Sequence, residues 1–306
     1  MQPVRGILFK CTALFLFMVM SVLVKATSDT VPPGQQVFFR SFFAMPIIFI
    51  WLYARGDLST GFRVESRLGH FWRGLIGASA MGMGFASLGL LPLPEVTAIG
   101  FASPIITVIL AALLLGERFR LVRMTAVLVG LVGVTIVLWP RLSVGSGAYE
   151  QLALLGALLA LGSAALRALA QIHIRRLVQT EQTSAIVFYF SLTTTCLSLL
   201  TLPFGWVMPD AATALMLVCA GLIGGVAQIF LTSGYKYADA SVLAPFDYTS
   251  MLYALVFGYF LFAEVPTVPM LIGSGLVIGA GGLIIWRERQ LGLQRGKARP
   301  GMTPQG

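Results

Sequence analysis

Apolar residues run along this chain in blocks of about twenty, each closed by charged residues, by Gly and Pro, or by a short polar stretch. At ~1.5 Å of rise per residue, a helix of that length crosses the ~30 Å hydrocarbon core of a bilayer. The pattern predicts ten spans, at about 7–26, 35–54, 71–91, 95–115, 121–139, 152–172, 183–203, 212–232, 241–262 and 268–286. The expected fold class is an all-α polytopic membrane protein with ten transmembrane helices. Arg5 precedes the first block, but that block is longer than a signal-peptide core and no small-residue cleavage site follows. Ile7 to Ala26 is therefore expected to be a retained span.

An even number of crossings puts both termini on one side, and the basic residues test that parity. Connectors on the side of the termini carry Arg5; Arg55, Arg63, Arg67 and Arg73; Arg118, Arg120 and Arg123; Arg175 and Arg176; Lys236; and the tail residues Arg287, Arg289, Arg295, Lys297 and Arg299. Of 21 Lys and Arg, the opposite connectors hold Arg141 alone, while Lys10, Lys25, Arg40 and Arg167 fall within spans. Both termini are expected to be cytoplasmic, in a multi-pass protein of the cell inner membrane.

One ungapped offset of 147 residues lays Gly74-Leu75-Ile76-Gly77 on Gly221-Leu222-Ile223-Gly224, Glu117 on Glu264, and Trp139 on Trp286. The chain thus reads as two five-helix units, residues 5–141 and 150–287, followed by a basic cytoplasmic tail, 288–306. Five is odd, so the second unit enters from the opposite side, which makes the repeats inverted. Small residues at four-residue spacing, Gly74, Ala78, Gly82 and Ala86 on span three, with Gly221 and Gly225 on span eight and Gly275 and Gly279 on span ten, suit close helix packing in lipid. Pro104 and Pro245 each remove a backbone hydrogen bond within a span.

Composition narrows the function classes. Hydrophobic residues make up 57% and charged residues 11%, against roughly 25% charged in a soluble globular chain, and the mean hydropathy is +0.87. A soluble protein of this size is excluded. The net charge of +9 sits in short connectors rather than on one accessible face, which argues against nucleic acid as a partner. Cys11, Cys196 and Cys219 lie in apolar blocks without a CxxC pair, and there is no HExxH, phosphate loop or nucleophile elbow. No enzyme, cofactor, metal site or ATP-driven pump is expected.

Charges within spans carry the sharpest signal, since even lenient insertion scales charge about 2.5–3.5 kcal/mol for Asp, Lys or Arg near a helix centre. Asp247 lies six residues into span nine, between Phe246 and Tyr248, and is either a substrate or proton site or a carboxylate bonded to neighbouring helices. Arg40 and Lys25 lie toward the far face, where they either anchor at the interface or face inward and favour an anionic or electron-rich substrate. Arg167 and Lys10 lie near span ends and are expected to snorkel. Gln171, Gln228, Ser103, Tyr189, Tyr248 and Tyr253 complete the candidate set as groups that could hydrogen-bond or stack on a planar ligand. Glu117, Glu264 and Glu95 suit helix ends.

With Pro104 thirteen positions before Glu117, the run Leu113-Leu114-Leu115-Gly116-Glu117 and its second-half counterpart Phe262-Ala263-Glu264 resemble the EamA-type carriers of the drug/metabolite transporter superfamily. Ala244-Pro245-Phe246-Asp247-Tyr248 and Phe38-Phe39-Arg40 look like a bacterial branch containing riboflavin and S-adenosylmethionine uptake carriers. The likeness covers residues 5 to 287. It implies a central cavity open alternately to each side, a small-molecule substrate, and spans five and ten as scaffold or homodimer surface. The expected function is a secondary carrier of a small organic metabolite, with uptake of riboflavin or a similar heterocycle first. Export of amino acids or related metabolites, and a membrane-embedded enzyme or assembly factor, are the alternatives.

Overall fold

The computed structural model describes residues 3–58, 61–115, 121–142, 148–237 and 243–297. Glu117, Arg118, Arg120 and Arg299 lie outside them. Among the described residues the chain is all-helical, with no strand. The helices are α1 (Pro3–Ala26), α2 (Pro33–Phe42), α3 (Ala44–Arg55), α4 (Arg67–Leu90), α5 (Leu93–Gly100), α6 (Ala102–Leu115), α7 (Leu121–Leu142), α8 (Ala148–Thr180), α9 (Thr183–Leu199), α10 (Ala211–Tyr237), a 3-10 turn (Ala244–Tyr248), α11 (Thr249–Phe262) and α12 (Val268–Lys297).

Helical segments long and apolar enough to cross a membrane include Val4–Ala26, Pro33–Arg55, Glu150–Val178 and Ala211–Tyr237, with shorter apolar stretches at Leu93–Thr107, Leu128–Trp139, Thr183–Leu199, Phe246–Phe262 and Val268–Ala280. Only 28 to 39% of the apolar windows in the four long segments are buried inside the bundle. Leu128, Val132, Trp139, Tyr259, Phe260 and Trp286 are among the large side chains that point outward. A surface of that kind is matched by lipid.

Three predicted spans are broken, each at a proline. A proline at position i removes the bond to the carbonyl of residue i−4 and crowds that carbonyl. α2 ends at Phe42, four residues before Pro46, and α5 ends at Gly100, four residues before Pro104. In the ninth span Pro245 sits in the first turn of the 3-10 segment, so Asp247 lies ahead of the α-helix rather than within it.

Helix pairing links the predicted first unit to the predicted second. α1 packs along α10 as α4 packs along α8, and α7 lies along α12. α2 and α3 both touch α9, and α5 touches α11. Shifting each span to its equivalent five places on turns the pair of spans one and eight into the pair of spans six and three. The pairs two–seven, four–nine and five–ten map onto themselves. The glycines mark the close approaches. A β-carbon at Gly133 would stand 2.7 Å from the Gly273 carbonyl oxygen, marking the close approach of α7 to α12, whereas one at Gly275 or Gly279 would meet nothing within 4 Å among the described residues.

Candidate functional site

α1 carries two lysines about 22 Å apart along its axis, and each meets an acid from the ninth span or its end. Lys10 Nζ lies 2.6 Å from Asp247 Oδ1, and only 2% of Lys10 is exposed. Its ammonium also faces Tyr235, 3.4 Å from the hydroxyl and 5.3 Å from the ring centre. Snorkelling is therefore wrong for Lys10: it is buried in an ion pair. Arg167, in mid-α8, is within electrostatic range of Asp247, and a β-carbon at Gly100 would stand 2.9 Å from its Nη2. Arg167 is itself exposed, while Ser163 and Ala164, one turn before it on α8, are buried. Tyr248 sets its ring edge against Phe101, 5.3 Å away, where α5 gives way to α6.

At the other end of α1, Lys25 Nζ lies 3.0 Å from Glu264 Oε1 and donates to the carbonyls of Leu88 at 3.1 Å and Leu91 at 2.8 Å. Glu264 Oε2 accepts from the Leu93 N–H at 2.8 Å, satisfying one of the free donors at the start of α5. Ala263, in the left-handed region at φ 54°, turns the chain to present that carboxylate. Lys25 is thus a tie between α1, the α4–α5 corner and the α11–α12 connector.

Arg40 and Arg73 both stand against one aromatic ring, Phe190. The guanidinium carbon of Arg73 stands 4.1 Å from the Phe190 ring centre and that of Arg40 stands 5.4 Å from it. Only 2% of Arg40 and 5% of Arg73 is exposed. Arg40 donates to Gln228 Oε1 at 3.4 Å, and Gln228 is held in turn by Thr232. Arg73, placed in a connector from sequence, is inside the bundle, because α4 begins four residues before the predicted span.

The remaining predicted residues are dispersed. Ser103 is buried in α6 with an unpartnered Oγ. Tyr253 meets Phe15 edge-on at 5.5 Å. Gln171 is half-buried one turn along α8 from Arg167. Tyr189 lies apart, donating to the Phe62 carbonyl at 3.2 Å beside a groove of about 780 Å³ lined by Arg63, Glu65, Arg67 and Glu181. There Glu181 accepts from the N–H groups of Glu65 at 2.9 Å and Ser66 at 2.7 Å, with His70 Nε2 at 3.5 Å. Burial disfavours the charged carboxylate, but the Ser66 and Glu65 N–H groups, with His70, outweigh it and hold Glu181 below its ordinary range. No group of three metal-ligating side chains occurs among the described residues.

Lys10, Arg73, Arg167, Phe190 and Glu181 are what sequence reasoning missed. For Lys10 and Arg167 the available signal was charge within an apolar block, discounted for nearness to a span end. Their directions follow from helix faces that only packing reveals.

The EamA-like transporter family signature matches residues 4–139 and 154–286. A pseudopaline exporter of Pseudomonas aeruginosa is 28% identical over 279 residues, covering 90% of this chain and 94% of the relative. An S-adenosylmethionine uptake transporter of Rickettsia prowazekii is 25% identical over 288 residues, covering 94% of each. A crystal structure with 23% identity superposes with a TM-score of 0.67, covering 94% of this chain and 98% of that one, and speaks for the fold.

Proposed function

The chain belongs to the EamA-like transporter family, and from that premise we propose that it is a secondary carrier moving a small organic metabolite by alternating access. The observation that supports this most directly is α1 fastened at both ends, by Lys10–Asp247 and by Lys25–Glu264. Two charged ties at opposite depths can open in turn, which is what alternating access asks of a bundle. The five-helix units 5–141 and 150–287 are proposed as the two bodies that rock, with the termini cytoplasmic in the inner membrane, on the strength of the basic connectors. The outward faces of α7 and α12 are proposed to meet lipid or a second copy.

For the cargo, uptake of riboflavin or a similar heterocycle is the narrower reading, supported by the aromatic pair Tyr248 and Phe101 at the broken fourth span. Export of amino acids or related metabolites is the second reading, favoured by the buried cations Arg40 and Arg73. The relatives are named for export in one case and uptake in the other, so the test measures both directions. Protein reconstituted alone in liposomes should support saturable counterflow of at least one labelled compound from a panel of riboflavin, S-adenosylmethionine and amino acids. Asp247→Asn should abolish it; no flux across the panel, or flux untouched by that change, counts against the proposal. Growth of a riboflavin auxotroph on limiting vitamin, with and without the chain, separates the two cargo readings.

A further inference from the structure

Buried cations in this bundle fall into two kinds. Lys10 and Lys25 each have a carboxylate within 3.0 Å. Arg40 and Arg73 form no ion pair among the described residues, and Nε and Nη1 of both are buried without any hydrogen-bond partner. Among the described residues, the polar neighbour bonded to Arg40 is the neutral Gln228. The two guanidiniums also repel one another. Leaving two hydrogen-bonding cations unpaired away from water is costly, and a protein retains such groups where an anion completes them.

The backbone makes room for both. Gly77 and Gly224 coincide under the 147-residue offset that relates the halves. A β-carbon at Gly77 would collide with Nη1 of Arg73, and one at Gly224 would stand 3.2 Å from Nε of Arg40. Glycines at equivalent positions of the offset therefore each seat one arginine, and the Phe190 ring lies against both forks. Guanidinium is the cation whose planar donors match an oxyanion two at a time.

We propose that Arg40, Phe190 and Arg73, with Gln228, form an oxyanion-binding site inside the bundle, and that the cargo carries a carboxylate or phosphate group that docks between the two guanidiniums. The proposal rests on the carrier reading and names its substrate class; it favours the second cargo reading, since riboflavin carries neither a carboxylate nor a phosphate. The site is closed to water here, so the anion enters when α9 parts from α2 and α4.

The test uses the full chain in lipid nanodiscs, followed by its thermal midpoint at ionic strength held constant with potassium chloride. L-glutamate and inorganic phosphate are the anionic probes, and L-glutamine is the neutral control. A rise with glutamate or with phosphate, absent with glutamine, supports the site and tells which oxyanion it takes. Arg40→Lys and Arg73→Lys keep the charge but lose the fork, and each should weaken the apparent affinity by about tenfold or more. Arg55→Gln, at an exposed arginine paired with Asp57, should leave the anion-dependent rise in place. Without ligand, Arg73→Met should raise the midpoint, since it removes an unpaired buried charge. Equal rises with glutamate and glutamine, a rise unchanged in both lysine variants, no rise with either anion, or a lowered ligand-free midpoint in Arg73→Met overturns the proposal. Liposome counterflow separates it from its premise. Flux indifferent to both lysine variants removes the site and leaves the carrier, whereas anion binding without flux of any probe removes the carrier and leaves the site.

Discussion

Lys10 Nζ meets Asp247 Oδ1 at 2.6 Å, joining the first helix to the 3-10 turn that opens the ninth span. Removing Asp247 strands the buried Lys10 as a lone charge in a low-dielectric interior, at a cost of about 3–5 kcal/mol, whereas Asp247, 26% exposed and within range of Arg167, suffers less when Lys10 is removed. Lys10→Met and Asp247→Asn should each lower the thermal midpoint, and the double variant should recover much of the loss. All three should lose counterflow while still inserting in the membrane. Normal transport by Asp247→Asn would reduce the pair to scaffolding.

At the far end of α1, Glu264 both pairs with Lys25 and accepts from the Leu93 N–H. A glutamine there keeps an acceptor for Leu93 and gives up the ion pair; an alanine gives up both. Glu264→Ala should therefore be less stable than Glu264→Gln by about 1 kcal/mol, the usual worth of a helix cap. Equal thermal midpoints for the two would show that the Leu93 bond contributes nothing.

The all-helical character and the apolar helices were legible in the sequence because they rest on local composition. The residues inside the bundle were less so. Pro46 breaks span two as Pro104 breaks span four, yet it lies in an apolar run with no glycine or polar flank to draw attention. Lys10 and Arg73 lie close enough to span ends to snorkel by count, but helix faces turn them inward, and their neighbours Asp247 and Phe190 come from 237 and 117 residues away. The small-residue ladder on α4 divides in the same way. A β-carbon at Gly74 would meet Thr193, 2.5 Å away, whereas Gly82 has nothing within 4 Å.

That division predicts opposite outcomes for two similar substitutions on α4. Gly82→Ala meets open space and improves helix propensity, so stability should hold or rise by up to about 1 kcal/mol. Gly77→Ala drives a methyl group into Arg73 and the Phe190 ring, which should destabilise by about 1–3 kcal/mol and impair counterflow. Matching thermal midpoints would mean that Arg73 swings aside without cost.

Glu181 gives the connectors before α4 and α9 a pH dependence. Its carboxyl is held below the ordinary value of 4.5, so the fold binds its ionised form more strongly than the unfolded chain does. The stabilisation is complete above that value and is lost as pH falls through the depressed one. Arg63, Arg67, Glu65, His70 and His173 surround the same corner. Thermal midpoints of the parent chain should fall below pH 4.5 more steeply than those of Glu181→Gln; parallel curves would remove Glu181 from the account.

The parity of the spans is open to chemical labelling, and two polar clasps fix which connectors share a side. Glu181 holds the backbone of Glu65 and Ser66, tying the connector before α4 to the one before α9. Gln35 exchanges two hydrogen bonds with Val207, at 2.7 and 3.0 Å, tying the start of α2 to the connector before α10. Arg63 and Met208 stand beside different clasps, and Met208 is 98% exposed. With Cys11, Cys196 and Cys219 replaced by alanine, Met208→Cys in intact cells should react with a membrane-impermeant maleimide. Arg63→Cys should react only after permeabilisation, on the side of the termini. Equal reaction of both in intact cells would put the clasps on one side, break the even parity, and leave α1 unable to run between the Lys10 and Lys25 ties as a single crossing.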